Sequence, residues 1–296
     1  MNVAAPALDR APSKDPSLSM RLWSAVVFLP LLVLMARVGG LVYLGFTLVF
    51  IGLALREFYL MMVSKGFFPH WKSGYVAAFL LPIGVYARQR THQTEEWHLA
   101  GLITVLLVAM LLAELRRGAS KQTLVNTSAT LLGVLYIGWL GAHVVALREL
   151  PWSLSVSYAQ GMSMALLPFF LAWTCDTAAY TVGRAWGRHR LAPGVSPGKS
   201  VEGAIAGLAA AILAGAIARV WFAPYLSVTA ALTLGVLVGV FAQLGDLVES
   251  LLKRDADTKQ SSCLIPGHGG VLDRFDSILF AAPLVYYFLI WEVFRR

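Results

Sequence analysis

Cysteine is nearly absent. Cys175 and Cys263 are the only two in 296 residues, and neither lies in a C-x-x-C. That excludes a disulfide framework or a cysteine-built zinc site, and leaves both as ordinary small residues. Charge is also scarce, at 14% of the chain, and acidic residues are the scarcer sign, 16 against 24 basic. No internal repeat is visible, which counts against the inverted-repeat transporters. No small-residue cleavage site follows the first apolar run, so that run is expected to stay as a helix rather than be removed as a signal. A Walker A loop is missing too: "SPGKS" would need a glycine five residues before Gly198, and the residue there is Pro193.

What the chain does have is apolar length. It is 58% hydrophobic with a mean hydropathy of +0.68, and its apolar residues come in blocks rather than amphipathic stripes. Runs of about 17 to 25 apolar residues are what a helix needs to cross hydrocarbon, which cannot solvate free peptide groups. About nine such runs begin near Leu22, Leu41, Gly74, Trp97, Leu124, Gln160, Val201, Val228 and Phe275. The expected fold class is therefore all-α: a polytopic integral membrane protein of about nine transmembrane helices, with cytoplasmic loops forming an active site. The expected organisation is a polar, disordered leader over residues 1–20, N-terminal transmembrane helices over 21–155 and a C-terminal transmembrane catalytic region over 156–296.

Sidedness follows from the basic residues. The N-terminus and the loops after even-numbered spans share one face and hold most of them, including Arg116, Arg117, Arg184, Arg188, Lys199, Lys253 and Arg254. By the positive-inside rule that face is cytoplasmic, with Arg295 and Arg296 falling on the opposite side. The net charge of +8 then reports orientation and anionic headgroups, and no nucleic-acid partner is expected.

The first half offers little chemistry. Glu57 in "REFYLMM" and Glu114 in "AELRR" read as solvated caps and interface anchors. The second half holds three polar clusters, all on the face assigned as cytoplasmic. In "CDTAAYTVGRAWGRHRLAPGVSPGKSVEG", Asp176 sits within or near the end of the sixth span, where an unpaired charge costs about 2.5–3.5 kcal/mol on insertion scales. Arg184 and Arg188 are its candidate partners. "SPGKS", with Ser196 and Lys199, reads equally as a phosphate-binding turn ahead of a helix N-terminus or as a turn with a helix cap. In "FAQLGDLVESLLKRD", Asp246, Glu249 or Ser250, and then Lys253 and Arg254 recur at helical spacing and line one face. "PGHGGVLDRFD" offers His268, Gly269 and Gly270 as a backbone anion nest, then Asp273, Arg274 and Asp276.

Asp246 and Asp273 come from neighbouring helices. Two carboxylates brought close in a poorly solvated site cannot both ionise without a cation. Mg²⁺ suits such a place, where a few carboxylates and substrate phosphates complete an oxygen shell. The pattern points to phosphoryl or nucleotidyl transfer at a membrane surface.

"SLLKRDADTKQSSCLIPGHGGVLDRFD" resembles the signature of the CTP:phosphatidate cytidylyltransferases, the CDP-diacylglycerol synthases: S-x-x-K-R, then K-D, then P-G-H-G-G-x-x-D-R-x-D. The block from Asp176 to Gly203 is similar to the same family's preceding block, so the close likeness spans roughly residues 170–280 and the rest is alike in hydropathy. The resemblance implies CTP and phosphatidic acid as substrates and Mg²⁺, with room for a second cation, held by Asp246 and Asp273. It implies phosphate binding by Ser196, Lys199, Ser250, Lys253, Arg254 and Arg274, a loop shaped by His268 and its glycines, a bacterial cytoplasmic membrane, and room for a homodimer. One departure is Gln260, where the family has aspartate, which removes a loop carboxylate and opens the alternative of another lipid-phosphate acceptor or of reduced activity. A transporter would need charges near mid-membrane and exits on both faces, and a lipid-binding scaffold would tolerate loss of both Asp246 and Asp273.

Overall fold

The computed structural model describes residues 18–91, 97–118, 122–258, 261–262 and 270–294. Ten α-helices dominate them: α1 (Leu18–Val38), α2 (Gly40–Ser64), α3 (Trp71–Arg90), α4 (Trp97–Arg117), α5 (Thr123–Gly133), α6 (Leu140–Leu154), α7 (Gln160–Trp186), α8 (Val201–Trp221), α9 (Val228–Asp255) and α10 (Leu272–Phe294). A π-helical turn over Val134–Trp139 joins α5 to α6 in one continuous rod. Six segments among the described residues are long and apolar enough to cross a membrane: Gly40–Ser64, Thr123–Leu154, Gln160–Trp186, Val201–Trp221, Val228–Asp255 and Leu272–Glu292. The molecule is a nearly all-α membrane protein.

One exception to all-helix is a hairpin between α7 and α8. β1 (Arg190–Ala192) pairs antiparallel with β2 (Ser196–Ser200), Arg190 opposite Ser200 and Ala192 opposite Ser196. Pro193 and Pro197, each followed by glycine, cannot continue a helix, and Val195 N–H closes the turn on Ala192 O at 3.1 Å. Ser200 ends the hairpin by capping α8, its hydroxyl accepting Gly203 N–H at 3.1 Å.

The helices of the second half pack through small residues, as membrane helices do when no solvent drives them together. A Cβ on Gly235 would come within 2.7 Å of Ala211 O, and one on Gly245 equally close to Asp276 O. The second contact matters for function, because it presses α9 against α10 beside the acidic residues of both.

Charged side chains gather at both ends of the bundle. At the end where α1 turns into α2, Arg148 is 1% exposed, donates to Ala36 O at 2.5 Å and lies 4.1 Å over the Tyr158 ring. Next to it, Glu149 accepts Gly40 N–H at 3.0 Å and the Tyr158 hydroxyl at 2.7 Å, and pairs with Arg90 at 3.1 Å. Burial and then the Glu149 carboxylate push the Tyr158 phenol above its ordinary pKa, so it stays a donor. The other end gathers the C-termini of α2, α7 and α9 and the N-termini of α8 and α10.

Candidate active site

Helical spacing on α9 puts Asp246, Glu249, Ser250 and Lys253 on one face, and α10 opens with Asp273, Asp276 and Ser277 opposite them. α7 adds Asp176, ten residues or about 15 Å before its end, and the hairpin adds Lys199. These side chains form two adjoining groups.

In the first group Asp176, Asp246 and Asp276 lie close enough to repel one another electrostatically. Lys199 Nζ sits 2.7 Å from Asp246 Oδ2, and Ser250 Oγ is 3.4 Å from Asp246 Oδ1. Ser277 Oγ stands 3.0 Å from Asp176 Oδ2 and 3.3 Å from Asp276 Oδ1. A hydroxyl has one hydrogen, so it satisfies one of those carboxylates at a time. Asp176 was expected to face Arg184 or Arg188. The structure turns Arg184 to the Tyr180 hydroxyl at 2.7 Å and ties the Arg188 N–H to Glu202 at 3.0 Å, while Lys199 and Arg274 are the cations whose fields reach Asp176.

The second group is built on Lys253. Its ammonium bridges Glu249, one turn back on α9, and Asp273 Oδ1 at 2.8 Å on α10. Asp273 Oδ2 accepts Gly270 N–H at 2.8 Å and Ser261 N–H at 3.3 Å, so the carboxylate also caps the start of its own helix. Glu249 is wholly buried. Asp246 and Asp273 are thus each engaged by a lysine, one on either side of the α9–α10 contact.

A cleft of about 530 Å³ opens beside the first group, lined by Asp176, Tyr180, Arg184, Arg190, Lys199, Gln243 and Asp246 among others. Three basic side chains and two carboxylates around one cleft suit a polyanion that arrives with a cation. Ser196 is half-buried on β2, and Arg274 is exposed on the first turn of α10. Arg254 anchors the hairpin, donating to Val195 O at 3.2 Å and Thr258 O at 3.3 Å. Gly270 is a position only glycine fits, since a Cβ would overlap Ser261 Oγ and the Glu57 carboxylate. His268, Gly269 and Gln260 lie outside the described residues.

Both first-half glutamates depart from the solvated caps expected of them. Glu114 is 4% exposed and pairs with His70. Glu57 is 0% exposed and bonded to the start of α10. The signal that could have found Glu57 is an acidic residue inside a run as apolar as "ALREFYL", since an intramembrane carboxylate needs partners. Tyr136, Ser277 and Gln243 also went unnoticed, for want of any local mark. Tyr136 comes from the π-helical turn, packs its ring on Phe280 at 6.4 Å and lies within the field of Asp276, Glu249 and Asp246. Among the described residues its hydroxyl has no hydrogen-bond partner.

Among the described residues no three His, Cys, Asp or Glu side chains converge tightly enough to hold an ion alone. Mg²⁺ keeps several waters and takes one or two carboxylates plus substrate phosphates. The donor set fits: hard oxygen ligands, an excess of carboxylate over ammonium, and one hydroxyl hydrogen between Asp176 and Asp276.

A profile of the cytidylyltransferase family matches residues 19–291. The chain is 35% identical over 293 residues to a protein of Synechocystis sp. named phosphatidate cytidylyltransferase, covering 92% of this chain and 96% of that relative. Proteins of the same name from Staphylococcus epidermidis and Staphylococcus aureus are 30% identical over 266 residues and 31% over 267, each covering 90% of this chain and 95% of the relative. With the match running from the first described helix to the last, the chain belongs to the cytidylyltransferase family.

Proposed function

We propose that this protein is a CTP:phosphatidate cytidylyltransferase of phospholipid biosynthesis, making CDP-diacylglycerol and pyrophosphate. The observation that carries the reading is the acidic seam between α9 and α10, where Asp246 and Asp273 are each held by a lysine beside a basic-lined cleft. In the reaction a phosphate oxygen of phosphatidic acid forms a bond to the α-phosphorus of CTP. The bond from that phosphorus to the α,β-bridging oxygen breaks, and pyrophosphate leaves with its electron pair. A phosphate monoester is already ionised near neutral pH, so no general base is required of His268, which serves the loop instead.

Transfer of this kind depends on positioning and on neutralising charge. Asp246 and Asp273 would hold Mg²⁺, with Asp176 and Asp276 adjoining; when bound, the ion would draw charge from the phosphate oxygens and steady the departing pyrophosphate. Lys199 and Lys253 already sit on those carboxylates and are the counter-charges a triphosphate would share. Ser196, Ser250, Arg254 and Arg274 supply further phosphate contacts around the same end. The lipid enters sideways between helices, acyl chains staying in hydrocarbon and headgroup at the α10 N-terminus.

The proposed topology has nine crossings in a bacterial cytoplasmic membrane, with the N-terminus and the site facing the cytoplasm, in keeping with the basic loops at that end. A homodimer is compatible with this arrangement. The test is pyrophosphate release by purified protein in detergent with CTP, Mg²⁺ and phosphatidic acid, beside Asp246→Asn and Gln260→Asp. Phosphatidate-dependent release that disappears in Asp246→Asn is the expected result. Release driven only by another lipid phosphate would overturn the acceptor, and release unaffected in Asp246→Asn would overturn the metal assignment.

A further inference from the structure

We propose that Glu57, on α2, is a positioning residue that fixes where α10 begins and therefore where Asp273 stands. Its carboxylate is 0% exposed and fully engaged. Oε1 accepts the Ser262 hydroxyl at 2.5 Å and Val271 N–H at 2.9 Å. Oε2 accepts the Ser261 hydroxyl at 2.9 Å and Leu272 N–H at 2.8 Å. A carboxylate offers about four lone-pair positions, and here each oxygen takes one hydroxyl and one backbone donor.

The identity of those donors gives the role. Val271 and Leu272 carry N–H groups that open α10 and have no carbonyl within the helix to bond, so Glu57 caps α10 from another helix and places its charge at the positive helix end. Asp273 follows directly. It reaches back to Gly270 N–H and Ser261 N–H, so Ser261 gives its hydroxyl to Glu57 and its amide to Asp273. Gly270 leaves no room between Ser261 and Glu57 for even a methyl group. Both flanks of the segment between α9 and α10 are therefore fastened to one buried atom group, and the Asp273 carboxylate inherits its place from that fastening. With its lone pairs taken by protein donors, Glu57 has none to give a cation or substrate, which separates its role from that of Asp246 or Asp273.

Glu57→Gln tests this with little change of shape. An amide nitrogen can face a hydroxyl but not a backbone N–H, so one bond to the start of α10 is lost. The inference rests on the proposed site for its turnover readout, and a second readout needs no turnover: hydrogen exchange across residues 270–280 in the full-length protein. The expected result is a fall in kcat of about 10- to 100-fold with the KM for CTP little changed, and faster exchange confined to the start of α10 while the Arg148–Glu149 end keeps wild-type protection. Ser261→Ala with Ser262→Ala removes two of the four donors, leaves the carboxylate in place, and should give the same local signature in milder form. That pair stands in if Glu57→Gln does not fold. Wild-type kcat with unchanged exchange would overturn the proposal, as would a loss of activity that merely tracks the folded fraction with exchange rising throughout the bundle. An inactive wild type would count against the proposed reaction and leave the exchange comparison standing.

Discussion

Glu149 at one end of the bundle is 1% exposed, whereas the Asp246 side chain at the other keeps 33% of its surface open beside the cleft, and their surroundings differ as well. Around Glu149 the acid is matched by named donors: Gly40 N–H and the Tyr158 hydroxyl on one oxygen and the Arg90 ion pair on the other, with Arg148 spent on carbonyls and a ring face. Around Asp246 carboxylates crowd together: Lys199 pairs with Asp246 beside Asp176 and Asp276, the field of Arg274 reaches Asp176, and Lys253 bridges Asp273 and Glu249. A closed network holds helices in place, whereas an uncompensated one has a use for a cation or for a ligand that brings one.

Breaking the open end should cost activity more than stability. Asp246→Asn and Asp273→Asn are each expected to lower kcat by about a hundredfold or more, Asp246→Asn with little change in detergent melting temperature and Asp273→Asn with a lower one, since it also weakens the buried Lys253 pair and the start of α10; chelating Mg²⁺ should silence the wild type reversibly, read as pyrophosphate release before and after the ion is restored. Breaking the closed end should do the reverse. Glu149→Leu leaves the Tyr158 hydroxyl and Arg90 without their acceptor and Gly40 N–H with the Tyr158 oxygen alone, and a loss of about 3–5 kcal/mol is expected, measured by melting and denaturant titration, with turnover per folded molecule near wild type. A smaller effect belongs to Tyr136→Phe. Its buried hydroxyl lies within the field of the carboxylates and has no hydrogen-bond partner among the described residues, and its removal should slow turnover about three- to tenfold without destabilising the protein; wild-type kinetics would place Tyr136 with the packing residues. Smallest of all is Lys65→Ala, which breaks a 2.6 Å ion pair with the largely exposed Asp255. Exposed pairs contribute about 0–1 kcal/mol, so neither melting nor turnover should move measurably.

Much of the site was legible because the acidic and basic residues of α9 and α10 stand at helical spacing inside apolar runs, where charge has few innocent reasons to be. The same reasoning applied to Glu57 would have flagged it. It read as a cap because Arg56 lies beside it and the run ends soon after, so its depth could not be judged from one dimension. The partners of Asp176 were misjudged for a related reason. Arg184 and Arg188 are near in sequence, but Arg184 bonds the Tyr180 hydroxyl and Arg188 lies beyond the end of α7, while Ser277, 101 residues away, is the contact.

The sequence by itself determined the membrane class and the starts of the helical rods, because length, hydropathy and helical period are local properties. Only the tertiary structure decided which carboxylates share a lysine, that "SPGKS" is a strand leading into a helix cap, and that Glu57 caps α10. Those depend on the close approach of α2, α7 and α9 to α10, which small residues such as Gly245 and Gly270 permit and no local pattern encodes.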